Sequence, residues 1–210
     1  MGEGHLAVTH LYADSINIEK YNPSMEFGIG INEMLVVQML LDNCKNVEEA
    51  KKILLSNKHF YMMLPTHLLI ADRFGNSFVW EYSVQHNKEY IIDGNSEIQI
   101  LTNFLLNEYD NPDSYPQSED TSCPFERYKT LKSAINENTR LTKDRIKEVN
   151  STVFISDEMY NQKSQTKTRT FYHCLFDTNE VSMEISYYRR DIGNKQLRTK
   201  YFKFKLGNTS

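Results

Sequence analysis

The segment from Met34 to Leu41 constrains the fold most, because its residues are apolar at every position except Gln38. A helix that is apolar around most of its circumference is buried on most of its sides. The following segment, Val47 to Leu54, carries its apolar residues in a single stripe with charged residues between them. We therefore expect two consecutive helices that form a layer over one face of a sheet.

Segments that favour strands lie on both sides of these helices. The stretch 5–13 is rich in strand formers, and hairpins are predicted over 67–83 and 89–102, where Gly75 and Gly94 lie in short polar gaps. The other predicted elements are helices at 124–138 and 142–149, strands at 170–177, 181–188 and 202–206, and loops at 14–30 and 107–122. This order of strands, helices and strands predicts an α+β fold with antiparallel sheet, in a single domain over residues 1–210.

Composition and charge exclude several classes of protein. The formal net charge of −4 argues against a nucleic-acid binder, which needs a concentrated basic face. No apolar run approaches the roughly 18 residues of a membrane span, and no signal peptide opens the sequence. The three widely spaced cysteines form neither a disulfide framework nor a zinc motif. We expect a cytoplasmic protein with no metal, cofactor, nucleic acid or membrane as partner.

The residue types that carry chemistry do not by themselves predict an active site. Cys123 lies near the start of a predicted helix with Arg127 one turn on, a setting that lowers a thiol pKa, but its acidic neighbours oppose the effect. Cys44 and Cys174 lack even that setting. Asp72 and Glu81 are expected to face each other across the first hairpin as a solvated pair. The histidines are expected to be structural or surface residues.

An ordered set of segments resembles the choloylglycine hydrolase family. The segments are Leu40–Ala50, His67–Glu81, Ile100–Asn103, Glu126–Tyr128 and Thr170–Asp177. This family comprises linear-amide C–N hydrolases, including penicillin V acylases and conjugated bile acid hydrolases, and belongs to the N-terminal nucleophile hydrolases. The resemblance covers nearly the whole chain and implies an αββα sandwich of antiparallel sheets.

The resemblance also implies a specific catalytic group. The family's nucleophile is an N-terminal cysteine whose own α-amine serves as the base. The sequence begins with Met1 and Gly2, so we expect a truncated amide hydrolase that lacks the catalytic segment and does not hydrolyse amides by itself. Turnover abolished by mutating a cysteine of this chain would refute that expectation. Two alternatives are a catalytically inactive homologue that binds a small molecule and a generic α+β interaction domain.

Three residues match family positions that serve the amide substrate. Asn103 matches the asparagine that helps to bind the oxyanion, Tyr12 matches a tyrosine of penicillin V acylase-like members, and Arg127 matches an arginine that supports the catalytic centre. We expect these three side chains to converge on one cleft that takes a small-molecule acyl amide. The sequence leaves open the acyl group, the amine and whether the protein forms a homo-oligomer.

Overall fold

The computed structural model describes most of the chain. The described residues are 5–13, 30–62, 65–83, 86, 88–94, 98–109, 111, 115–116, 123–135, 141–155, 160–161, 166–167, 169–193 and 195–205. The chain divides into two compact units, Met1–Tyr115 and Pro116–Asn208, and each is described by itself. The single domain over 1–210 stays a prediction. Residues 14–29 and most of 110–122, from the two predicted loops, lie outside the described residues.

A four-stranded antiparallel sheet organises the first unit. Its elements in chain order are β1 (Ala7–Tyr12), β2 (Ile31–Asn32), α1 (Val36–Asn43), α2 (Val47–Ser56), β3 (His59–Phe60), β4 (Thr66–Ala71), β5 (Ser77–Ser83) and β6 (Lys88–Asp93). The strand order is β1-β4-β5-β6, while β2 and β3 form a short parallel pair. The opening strand and the first hairpin, β4–β5, are confirmed.

Helices α1 and α2 cover one face of this sheet, as the apolar pattern predicts. Val36 and Leu40 of α1 and Leu54 of α2 are buried in one core cluster with strand residues such as Leu68 and Trp80. Full burial of a leucine side chain stabilises the fold by about 1.5–3 kcal/mol. Strand residues alternate between faces, so the neighbours of Leu68 and Trp80 along the chain point to the opposite face of the sheet.

Asp72 joins the start of α2 to the turn of the first hairpin. Its Oδ1 accepts hydrogen bonds from the backbone N–H groups of Phe74 (2.9 Å) and Asn76 (3.2 Å). Its Oδ2 accepts one from the N–H of Val47 at 3.1 Å. Gly75 has φ +85°, a conformation that glycine adopts without strain and that closes this turn. One carboxylate thus satisfies backbone donors from two elements.

Replacing Asp72 with alanine is expected to lower the free energy of unfolding by about 2–3 kcal/mol, because buried N–H donors lose their acceptor. Urea denaturation followed by the fluorescence of the buried Trp80 measures this change. The matched control is Asp42→Ala, which removes an exposed carboxylate that accepts from Gln38. The control should change stability by less than about 0.5 kcal/mol. Equal effects of the two substitutions would contradict the conclusion that Asp72 joins the start of α2 to the hairpin turn.

The predicted second hairpin over 89–102 is wrong. β6 forms a hairpin with β5 instead, with Ser83 opposite Lys88. Residues 98–102 are described and belong to no strand. The side chain of Gln99 donates to the carbonyl oxygen of Ile92 at 2.9 Å, so a side chain satisfies a backbone acceptor on this edge of β6. Residues 98–102 therefore carry an alternating apolar pattern without forming a strand.

The second unit combines two helices with another antiparallel sheet. Its elements in chain order are α3 (Pro124–Ala134), α4 (Lys143–Ser151), β7 (Tyr160–Asn161), β8 (Thr166–Lys167), β9 (Tyr172–Asp177), β10 (Ser182–Ile192), β11 (Lys195–Arg198) and β12 (Phe202–Lys205). Strand β10 pairs with β9, β11 and β12. The strands predicted in this region are confirmed, and α3 ends near 135, earlier than the predicted 138.

Ion pairs attach α4 to this sheet. Lys147 lies 2.6 Å from Glu184 of β10, and Lys143 lies 2.6 Å from Asp177 of β9. The N-terminus of α4 is capped by Thr142, whose Oγ1 accepts from a backbone N–H in the first turn, as the sequence predicts. Lys147 is mostly covered, and this pair is therefore less screened than an exposed one.

Candidate functional site

Two of the three predicted site residues meet at one end of the first sheet. The carboxamide Nδ2 of Asn103 donates to the carbonyl oxygen of Tyr12 at 2.7 Å, across 91 positions of sequence. Tyr12 is the last residue of β1 and lies opposite Thr66, the first residue of β4. The contact uses the backbone of Tyr12, whereas the resemblance implied a role for its phenol. The hydrogen bond fixes the plane of the Asn103 amide.

A buried carboxylate holds the segment that follows Asn103. Glu81 of β5 is fully buried and stands directly opposite His67 of β4, which is also fully buried. The Nδ1 of His67 lies 3.1 Å from Oε1 of Glu81. The same oxygen accepts the backbone N–H of Leu106 at 2.7 Å. Oε2 accepts both the backbone N–H of Asn107 at 2.8 Å and its side-chain amide at 2.6 Å.

These contacts correct the prediction made for Glu81. Asp72 and Glu81 do not face each other, because the register places Glu81 opposite His67 and leaves Asp72 in the turn beyond the strand. Neither carboxylate is solvated, since Asp72 is 4% exposed and Glu81 is fully buried. A glutamate among the apolar residues of a central strand was the available signal, because a buried charge needs partners.

Aromatic rings also hold the segment that carries Asn103. Phe104 is fully buried, and its ring centroid lies 5.6 Å from that of Tyr109 and 5.1 Å from that of Tyr115. The two tyrosine rings meet edge to face at 5.9 Å. Such pairs contribute about 0.5–1.5 kcal/mol beyond the area they bury. Phe104, the residue directly after Asn103, is therefore held in place by its packing against the two tyrosine rings.

Arg127 lies on α3 in the second unit, and its backbone N–H donates to the carbonyl oxygen of Cys123 at 3.1 Å. That bond belongs to the first turn of the helix, which Pro124 opens as predicted. The predicted convergence of Arg127 with Tyr12 and Asn103 stays a prediction.

The cysteine thiols differ in their surroundings. Burial, with a smaller contribution from Glu49, raises the pKa of Cys44 to about 11. Burial also raises the pKa of Cys174 above its ordinary value. A thiol with a raised pKa carries little thiolate at neutral pH, and the thiolate is the nucleophile. Cys123 is half-buried at the start of α3. Cys44 and Cys174 are therefore poor candidates for the nucleophile.

Neither a cluster of metal ligands nor a membrane-spanning helix is found among the described residues. In that part of the chain, no group of three or more histidine, cysteine, aspartate or glutamate side chains could hold a metal ion. Within the same residues, no helix is both long enough and apolar enough to cross a bilayer.

A second polar cluster surrounds His173 of β9. Its Nδ1 lies 2.6 Å from the hydroxyl of Tyr201, and Asn150 of α4 lies 3.0 Å from its Nε2. Burial first, and then the positive charges of Arg198 and Lys147, together lower the pKa of His173 from 6.5 to about 4. The imidazole is therefore neutral in the folded protein at physiological pH.

The stability of the protein is expected to fall as the pH drops from about 6.5 to about 4. Over this window the unfolded chain binds a proton at His173 and the folded chain does not, so protonation favours unfolding. The loss is about 2 kcal/mol after allowing for partial exposure. Urea denaturation followed by circular dichroism at pH 7 and 4.5 measures it, and His173→Gln should flatten the pH dependence. An unchanged slope in this variant would contradict the assignment.

The amino-acid sequence matches a known protein family over most of its length. The family described as acyl-coenzyme A:6-aminopenicillanic acid acyl-transferase matches residues 15–190. The chain belongs to this acyl-transferase family. The matched range includes Asn103, Arg127 and the whole of the first hairpin. Among curated proteins, no match to the chain was found.

Solved structures share the fold of this acyl-transferase family member. A penicillin V acylase from Agrobacterium tumefaciens aligns with a TM-score of 0.63 at 20% identity, over 88% of this chain and 61% of the acylase. Two variants of a conjugated bile acid hydrolase from Clostridium perfringens align with TM-scores of 0.64 and 0.65, at 14% and 13% identity. Each alignment covers 98% of this chain, and 76% and 75% of the hydrolase chains.

These findings confirm the family resemblance and the fold class predicted from the sequence. The described residues form antiparallel sheets and four α-helices, an α+β architecture that aligns with both matched enzymes. The chain spans less than two thirds of the length of the penicillin V acylase.

Proposed function

We propose that the protein acts on the C–N bond of small linear acyl amides, in the manner of penicillin V acylase or conjugated bile acid hydrolase. The observation that carries this proposal is the Asn103 amide, which donates to the carbonyl oxygen of Tyr12 at 2.7 Å. An N–H donor held in a fixed orientation suits a negative charge that develops on an oxygen atom. Membership of the acyl-transferase family supports this chemistry.

The proposed reaction gives Asn103 one role. A nucleophile attacks the acyl carbonyl, the carbonyl oxygen becomes an oxyanion, and collapse of the tetrahedral intermediate releases the amine after it takes up a proton. Water then attacks the acyl-enzyme, releases the carboxylic acid and regenerates the nucleophile. Asn103 has two amide N–H bonds, one of which donates to Tyr12. We propose that the Asn103 amide donates an N–H to the oxyanion.

Tyr12 and Arg127 have separate proposed roles. The carbonyl oxygen of Tyr12 orients Asn103, and its phenol is proposed to bind the substrate, as in penicillin V acylase-like proteins. Tyr12→Phe keeps the carbonyl and removes only the hydroxyl, so it isolates the second role. Arg127→Lys keeps the positive charge of the family arginine, whereas Arg127→Ala removes it.

A second candidate function is the binding of small amides without catalysis. The raised pKa values of Cys44 and Cys174 favour it, because neither thiol is activated as a nucleophile. Such a homologue would retain Asn103 as a donor to the amide carbonyl oxygen. The two candidates differ in one observable, the release of the amine product.

The test uses the complete product of the gene. The purified protein is incubated with penicillin V and with a glycine-conjugated bile acid, and mass spectrometry measures the released amines. We expect amine release, together with a large loss in Asn103→Ala. The matched control is Asn43→Ala, because Asn43 also donates its side-chain amide to a backbone carbonyl oxygen, that of Met39 at 2.8 Å.

The possible outcomes separate the candidates. Amine release that falls in Asn103→Ala and is unchanged in Asn43→Ala supports amide hydrolysis. Saturable binding of either amide without amine release supports the binding homologue. Neither binding nor release would overturn both proposals.

A further inference from the structure

Side chains attach the segment that carries Asn103 to the sheet. Residues 98–103 form neither helix nor strand, and a short 3-10 helix follows at Leu106–Glu108. The backbone N–H groups of Leu106 and Asn107 both donate to the carboxylate of Glu81. Glu81 therefore fixes the backbone three and four residues beyond Asn103.

We propose that Glu81 is a positioning residue for Asn103, acting through residues 104–107. This inference rests on the proposed function, in which Asn103 donates to an oxyanion. The Asn103 segment is fixed at two points, at the Asn103 amide by Tyr12 and beyond it by Glu81. A displacement of about 1 Å in a catalytic group can lower a rate by about 10²-fold. Glu81 limits such a displacement without contacting the substrate.

His67 fixes the orientation of Glu81 from the neighbouring strand. A carboxylate only accepts hydrogen bonds, so the Nδ1 of His67 donates to Oε1 of Glu81. His67 follows Thr66 in β4, and Thr66 pairs with Tyr12 of β1. Strand β4 therefore positions both anchors, because its His67 holds Glu81 and its Thr66 pairs with Tyr12. The register of β1, β4 and β5 sets the relative position of both anchors.

The chemistry of the site requires a carboxylate at position 81. Both oxygens accept from N–H groups of Leu106 and Asn107, and these donors contribute three of the hydrogen bonds. Glutamine has nearly the same shape but replaces one acceptor oxygen with an NH₂ group. In Glu81→Gln, this NH₂ group would face the N–H of Leu106 or those of Asn107, and two donors do not form a hydrogen bond with each other. The substitution therefore loosens the segment with little change in volume.

The first measurement follows the position of Asn103 directly. Nuclear magnetic resonance of the labelled full chain records the side-chain amide signals of Asn103 and the exchange rates of the Leu106 and Asn107 backbone amides. Glu81→Gln should shift the Asn103 signals and speed both exchange rates at least tenfold. The matched control is Asp72→Asn, because Asp72 is another buried carboxylate that accepts backbone N–H groups in the same unit. The control should leave the Asn103 signals unchanged.

The second measurement tests whether Glu81 acts through Asn103. Affinity for penicillin V is titrated in wild type, Asn103→Ala, Glu81→Gln and the double variant. Each single substitution should weaken binding about five- to tenfold, and the double variant should be no weaker than Asn103→Ala. Additive losses would overturn the proposal, because a merely structural role would not depend on Asn103.

The two measurements separate failure of this inference from failure of the proposed function. Unchanged Asn103 signals in Glu81→Gln overturn the positioning role, whatever the affinity. Shifted signals without any penicillin V binding or amine release support the positioning role and count against the proposed function. If Glu81→Gln fails to fold, Asn107→Ala replaces it, since it removes one donor and keeps the carboxylate. A smaller shift of the Asn103 signals is then expected, and no shift contradicts the proposal.

Discussion

Asn103→Ala is expected to lower the rate of amide hydrolysis by about 10²-fold or more, measured as amine release by the complete gene product. Removal of one oxyanion donor from an amidohydrolase or protease has a typical cost of this size. The effect should fall mainly on kcat, because the donor matters most when the oxyanion has formed. The hydrogen bond to Tyr12 supports this expectation, since it fixes the amide before substrate binds.

Asn103→Asp sharpens this test. The aspartate has nearly the same shape but presents oxygen atoms to the Tyr12 carbonyl and to the oxyanion, so its rate should be no higher than that of Asn103→Ala. Asn43→Ala should keep the wild-type rate. A wild-type rate in Asn103→Ala would show that this residue does not take part in the reaction. The proposed amide hydrolysis would then be supported mainly by the fold.

Glu81→Ala is expected to lower the free energy of unfolding of the first unit by about 3–5 kcal/mol. The substitution leaves buried donors on His67, Leu106 and Asn107 without their acceptor, and breaking a buried polar network in this way is strongly destabilising. Folded domains have only about 5–15 kcal/mol of total stability. Urea denaturation followed by Trp80 fluorescence measures the loss.

The control for this loss is Glu48→Ala on α2. Glu48 is 71% exposed in its side chain and pairs with Lys51 at 3.3 Å, so its removal should cost less than about 0.5 kcal/mol. Glu81→Gln should fall between the two, because it keeps one acceptor oxygen. A loss below about 1 kcal/mol in Glu81→Ala would show that water replaces the carboxylate as the acceptor and can reach the N–H donors of Leu106 and Asn107.

Local signals in the sequence were sufficient for the helices and the first hairpin. Asn46 and Glu49 have the spacing of a capping box, and the side chain of Asn46 accepts from the N–H of Glu49 at 3.0 Å at the N-terminus of α2. The turn at Gly75 was identified in the same way, because a glycine in a short polar gap supplies a positive φ. These elements depend on residues within about four positions of each other.

Long-range pairing was not available from the same signals. The contact between Asn103 and Tyr12 joins residues 91 positions apart, and only the family resemblance suggested that they approach each other. The register that sets Glu81 opposite His67 follows from where the turn closes, so an estimate of the turn off by a residue or two misplaces the pair. Residues 98–102 were predicted as a strand because an alternating pattern does not reveal whether a neighbouring strand is present.

The topology of the first sheet has a kinetic consequence. β4, β5 and β6 are consecutive hairpins, whereas β1 joins β4 only after a loop of roughly 50 residues has been closed, at a larger entropic cost. We expect the β4–β6 meander to form early in refolding and β1 to dock last. The carbonyl oxygen of Tyr12 arrives with β1, so Asn103 acquires its acceptor only in the final step. A refolding intermediate would therefore contain the native meander and still be unable to bind an amide.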